Sequence, residues 1–96
     1  MNVTTSALDR RLTVNPDVVF RDVEGETVLL HLERGIYFGL DAVGTRVWTA
    51  LVEHGCARPA VAALLEEFDV AADNLERDIE QLLLALLQND LVRPQK

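Results

Sequence analysis

The chain is short of cysteine, histidine and positive charge, and each shortage removes a class of function. One cysteine, Cys56, leaves no internal disulfide. Two histidines, His31 and His54, stand alone, without a second Cys or His at metal-ligand spacing. Nine basic residues against sixteen acidic ones give a net charge of −7, which repels phosphate backbones and anionic headgroups. Nucleic acid and membrane are therefore disfavoured partners. No apolar run is long enough to span a bilayer and no basic-then-apolar leader opens the chain, so a soluble cytoplasmic protein is expected. Ninety-six residues make one domain with one core and little room for a deep catalytic pocket.

The remaining chemistry is sparse. Neither histidine has a Cys, Ser or carboxylate at a telling spacing, and Cys56 follows Gly55 in a loop with nothing placed to activate it. Gly35, Gly39 and Gly44 do not form a phosphate loop, because Asp41 stands among them and no Lys follows. The sequence predicts no catalytic residue, no metal and no cofactor.

What is present is punctuation. Met1 to Pro16 has isolated Leu8, Leu12 and Val14 without a sustained period, and reads as a flexible tail whose last residues could pair, ahead of a domain over 17–93. Val18–Val23 and Glu26–Leu32 are β-rich and separated by Glu24-Gly25, a hairpin signal. In the second of these strands, Val28, Leu30 and Leu32 form one fully apolar row, expected on the core face. Glu33-Arg34-Gly35 turns the chain into a third strand, Ile36–Leu40, completing an antiparallel meander.

Helices follow. Asp41 is placed to cap a helix over about Ala42–His54, with Val43, Val47 and Leu51 on one row, Trp48 and Val52 on the next, and Gly55 as its left-handed stop. Pro59 opens a second helix through Phe68, with Val61, Leu64, Leu65 and Phe68 on one face. A third runs from about Ala72 to Asn89, with Leu75, Ile79, Leu82, Leu83 and Leu86 as its core row and Leu91-Val92 as a short extended continuation. Three strands followed by three helices define an α+β fold, winged helix-turn-helix-like with its strands first.

Two features exceed what folding needs. The third strand is aromatic and at a sheet edge, and Leu84, Leu87 and Leu91 widen the apolar face of the third helix to roughly 200°, where a surface helix needs little more than ~100°. Together they would form a groove for an extended peptide that adds a strand. The bland reading weighs equally: ordinary sheet residues, with the extra leucines packed on the tail or on a second copy. A transcriptional regulator is a further reading of the topology. However, the third helix carries Asp73, Glu76, Asp78 and Glu80 against Arg77, the wrong sign for DNA.

Val28-Leu29-Leu30, then Gly35-Ile36-Tyr37-Phe38-Gly39-Leu40-Asp41, then Gly44 and Trp48, resemble the PqqD-like family, the RiPP recognition element, across about Val18–Val92. The resemblance implies a non-catalytic adaptor. It would bind the leader of a ribosomally made precursor peptide by strand addition, in winged-helix form, and present it to a modifying enzyme. By position it implies Ile36, Tyr37, Phe38 and Gly39 as the strand edge. Leu83, Leu84, Leu87 and Leu91 are candidates for the helical wall, with Arg77, Asp78 and Glu80 at its rim. Members from pyrroloquinoline quinone synthesis usually carry Pro-Glu and Asp-Gly where this chain has Leu32-Glu33 and His54-Gly55, which favours a lasso-type or related pathway. Its enzyme would be a leader protease, a radical SAM enzyme or a cyclase. The alternatives are the acidic winged-helix regulator and a module that self-pairs through the same edge as a homodimer.

Overall fold

The computed structural model describes residues 6–95. A 3-10 turn, Ala7–Asp9, leads into β1 (Leu12–Val14), then β2 (Val18–Val23), β3 (Glu26–His31) and β4 (Ile36–Leu40). The helices α1 (Ala42–His54), α2 (Arg58–Glu67) and α3 (Ala72–Gln88) follow, and β5 (Val92–Pro94) closes the chain. The sheet order is β2-β3-β4, all antiparallel, with β1 and β5 forming a separate antiparallel pair. The α+β architecture read from the sequence is the one observed, with this strand pair added.

Turn chemistry fixes the meander. Glu24 and Gly25 both have positive φ, 55° and 84°, the two-residue turn whose twist suits a hairpin. The Asp22 side chain accepts from the Gly25 N–H at 2.9 Å and closes it. Asp41 Oδ1 accepts from the Gly44 N–H at 2.8 Å, capping α1, which ends at Gly55 in the left-handed region, φ 77°.

The core row of β3 is the opposite of the sequence expectation. Thr27, Leu29 and His31 are buried, whereas Val28 and Leu32 are exposed on the other face. Register explains the inversion. Leu29 lies between Phe20 and Phe38 in the sheet, on the face where Phe20 meets Trp48 edge-on at 5.4 Å, and the buried His31 is tolerated because its ring bonds to the Asp90 carboxylate and the Arg34 N–H. On the helices Val47, Trp48, Leu51, Leu64, Leu75, Ile79, Leu83 and Leu86 are buried as expected. Val52, Leu65 and Phe68 are not.

The segment expected to be a tail is packed over residues 7–15; residues 1–5 lie outside the described residues. Leu8 and Leu12 are fully buried, and Leu12 pairs with Pro94. Arg58 grips the Asp9 carboxylate at 2.9 Å through two nitrogens, and that hydrogen bonding holds the Asp9 carboxyl below its usual range. Isolated leucines without a period pack here because their partners are distant in sequence, at α3 and β5. Among the described residues, no helix is long and apolar enough to cross a membrane.

Candidate functional site: a cleft between an edge strand and a helix

β4 is the free edge of the three-stranded sheet. The tight turn makes Val23 and Glu26 a hydrogen-bonded pair, so alternation directs the backbone groups of Thr27, Leu29 and His31 toward β4. Their partners Leu40, Phe38 and Ile36 bond inward, and the N–H and C=O of Tyr37 and Gly39 face the open edge. Two residues thus offer main-chain groups to an incoming strand.

Beside the C-terminal end of that edge lies a cleft of about 890 Å³, lined by Gly39, Leu40, Asp41, Val43 and Gly44 on one side and Asn74, Leu75, Asp78, Ile79, Gln81 and Leu82 of α3 on the other. The α2–α3 corner, Asp69 to Ala71, completes the lining. Leu75 and Ile79 form a buried floor, and half-buried Val43 and Leu82 rise from the core into its walls. Gly44 sits where a Cβ would come within 3.2 Å of the Leu40 side chain, so its small size lets α1 begin close against β4.

The structure divides the residues singled out from the sequence. Gly39 and Asp78 line the cleft. Ile36, Tyr37 and Phe38 form the rest of the strand: Phe38 is half-buried against the core and Tyr37, 73% exposed, stands on the open sheet face. Arg77, Glu80, Leu83, Leu84 and Leu87 are elsewhere. They line a second groove of about 350 Å³ on the other side of α3, shared with Ala7, Arg10 and Leu12 of the N-terminal segment. Leu91 is completely buried and reaches neither groove. At 100° per residue Leu84 points about 160° away from Leu82, so one helix cannot turn both to β4.

The helical wall that does face β4 is Asn74, Leu75, Asp78, Ile79 and Leu82, at spacings of three and four. From the sequence its apolar members read as core alone, because a residue that both supports the core and floors a cleft has the same period as one that only supports it. Asp41, Asp69 and Val70 were legible only as cap and corner. Among the described residues no group of His, Cys, Asp and Glu is arranged to hold a metal.

The chain is similar to the solved structure of TbiB1 in complex with the TbiA(beta) leader peptide, with 39% identity, a TM-score of 0.75, and coverage of 88% of this chain and 98% of that one. It is also similar in fold to lasso peptide synthetase B1 complexed with the leader peptide, at 23% identity and a TM-score of 0.78, over 88% of this chain and 99% of that one. No curated protein sequence matches the chain. The family model for coenzyme PQQ synthesis protein D (PqqD) matches residues 26–92, from the start of β3 to the first residue of β5, taking in both walls of the cleft. With that span and a similar structure at 39% identity, the chain belongs to the PqqD family.

Proposed function

We propose that this protein is a non-catalytic adaptor that binds the leader of a ribosomally synthesised precursor peptide and presents the precursor to a modifying enzyme, in a lasso-type pathway. The observation that carries this reading is the free backbone of Tyr37 and Gly39 beside the apolar floor of the cleft. An extended leader would pair with β4 as a fourth strand and set alternate side chains over Leu75, Ile79 and Leu82. The likeness to TbiB1, whose structure holds a leader peptide, supports this choice of ligand. Burying two or three leader side chains at ~1.5–3 kcal/mol each, set against ordering costs, is compatible with low-micromolar to sub-micromolar affinity.

The direct measurement is fluorescence anisotropy of labelled leader segments from small open reading frames beside the gene. One segment should bind saturably and its scramble should not. Gly39→Pro removes an outward N–H while leaving the β3–β4 ladder intact, and a Cβ at Gly39 meets nothing within 4 Å, so the variant should fold and lose binding. A folded Gly39→Pro variant that binds as tightly as the parent would refute strand addition. Self-pairing through β4 would instead appear as concentration-dependent dimerisation abolished by the same substitution. The lasso-type partner enzyme is then identified by which protease or cyclase accepts the precursor only with this protein present.

A further inference from the structure

The cleft has a charge pattern that its apolar floor does not require. Three carboxylates, Asp41, Asp69 and Asp78, line it, and no Lys or Arg does. Asp41 uses Oδ1 to cap α1, leaving its second oxygen available. Among the described residues neither Asp69 nor Asp78 is in an ion pair, although four other acidic residues pair with arginines or histidines. The second groove differs: Arg10 and Arg77 offset Glu80 there. The cleft beside the free strand edge thus carries carboxylates alone, whereas the second groove is of mixed sign.

Resting on the adaptor reading, we infer that this cleft selects a basic leader, with Lys or Arg side chains set beside the apolar residues that cover Leu75, Ile79 and Leu82. Placement follows from the walls. Asp41 directly follows the C-terminus of β4, Asp69 stands in the α2–α3 corner, and Asp78 lies along α3 one turn after Asn74. A strand added to β4 alternates its side chains, so those over the floor stay apolar. Basic residues then fall where the strand leaves the floor toward the α2–α3 corner, and where a long Lys or Arg stem can lie on apolar surface with its charge at Asp78. Arg and Lys both satisfy this chemistry; an acidic residue at the same places would meet like charge.

The test uses the full chain and the leader from the neighbouring precursor gene, with copies in which Lys and Arg are replaced by Gln or by Glu. Each exposed pair is expected to change Kd about two- to fivefold, with the Glu copy weaker than the Gln copy. Asp69→Asn and Asp78→Asn should reduce the difference between parent and Gln leaders, whereas the distant Glu53→Gln should not. Raising salt from 0.1 M to 1 M, where screening shortens from about 10 Å to about 3 Å, should have the same effect. A leader that binds, is lost with Gly39→Pro, and yet ignores both Asp→Asn substitutions and salt overturns the charge reading while the adaptor stands. A binding leader with no Lys or Arg in the paired segment also overturns it. Absence of binding by any leader overturns the adaptor reading and this inference with it, whereas binding that survives Gly39→Pro in a folded protein refutes strand addition and, with it, the placement of basic residues beside Asp78.

Discussion

The imidazole of His31 on β3 lies 3.3 Å from Asp90 Oδ2 at the end of α3, within a site where the histidine is 1% exposed. His31 Nδ1 accepts from the Arg34 N–H at 3.2 Å, so the ring proton belongs on Nε2, where it is donated to the carboxylate. Asn15 completes the knot: its Nδ2 donates to Asp90 O at 2.8 Å and Oδ2 at 3.1 Å, and its Oδ1 accepts from the Asp17 N–H at 2.9 Å. Sheet, N-terminal segment and the α3–β5 corner meet there.

Asn15→Ala should therefore destabilise the protein by about 2–3 kcal/mol, because it strands buried polar groups as well as losing bonds. Urea unfolding followed by the fluorescence of Trp48, the single tryptophan and 2% exposed, measures this directly. A shift within experimental error would mean that water replaces the amide without loss.

Acid should loosen the same corner. Asp90 is held at about 2, below the usual 3.8, by hydrogen bonds first from Arg93 and then from His31, against a desolvation cost. The unfolded chain then binds more protons than the folded one, so the contribution is complete above pH 3.8 and disappears as pH falls through about 2. Asp90→Asn, which suits the left-handed φ of 57°, should be less stable at neutral pH and show a shallower loss of stability between about pH 4 and pH 2. Parallel slopes for the two proteins would contradict the linkage.

Gly55 ends α1 with φ 77°, and a Cβ there would lie 2.7 Å from an Arg11 guanidinium nitrogen. That arginine donates to the His54 carbonyl at 2.7 Å and to Gln95 at 3.2 Å. Gly55→Ala should cost about 1–2 kcal/mol, from backbone strain and from displacing Arg11. In an Arg11→Ala background the cost should be smaller, and thermal melts of the four proteins read the difference.

The two faces of α3 can be separated by leader binding. Leu82→Ala, in the cleft, should weaken binding about five- to twentyfold by removing apolar contact, whereas Leu84→Ala, 55% exposed on the other groove, should stay within about twofold. The reverse ranking in an anisotropy titration would move the leader to the groove by the N-terminal segment.

Local punctuation made the element boundaries legible. Glu24-Gly25, Asp41, Gly55 and Pro59 each impose a backbone geometry readable from neighbours, and the strand limits Val18–Val23 and Ile36–Leu40 follow. Orientation was less legible. In β3, consecutive Val28, Leu29 and Leu30 make both phases apolar, and the deciding contacts of His31 come from Asn15 and Asp90, 16 and 59 positions away. In α3, leucines at five of six consecutive positions from 82 to 87 hide which side faces β4. The packed role of Leu12 depends on a partner near the opposite end of the chain.

The pairing of β1 with β5 also sets how the molecule yields when pulled. Leu12 is opposite Pro94 and Val14 opposite Val92, and the Gln95 N–H donates to the Arg11 carbonyl at 3.0 Å, so the two chain ends leave from the same end of the ladder. Tension applied between those ends unzips the clasp one bond at a time, where a ladder loaded along its length would resist with all its bonds together. Once the load has pulled Leu8 from its burial and parted Asp9 from Arg58, the clasp releases Arg11 and Gln95 and then Leu12 and Pro94, which uncovers the Leu12 side of the groove along α3. The meander that carries the β4 edge lies outside the load path until that clasp has parted.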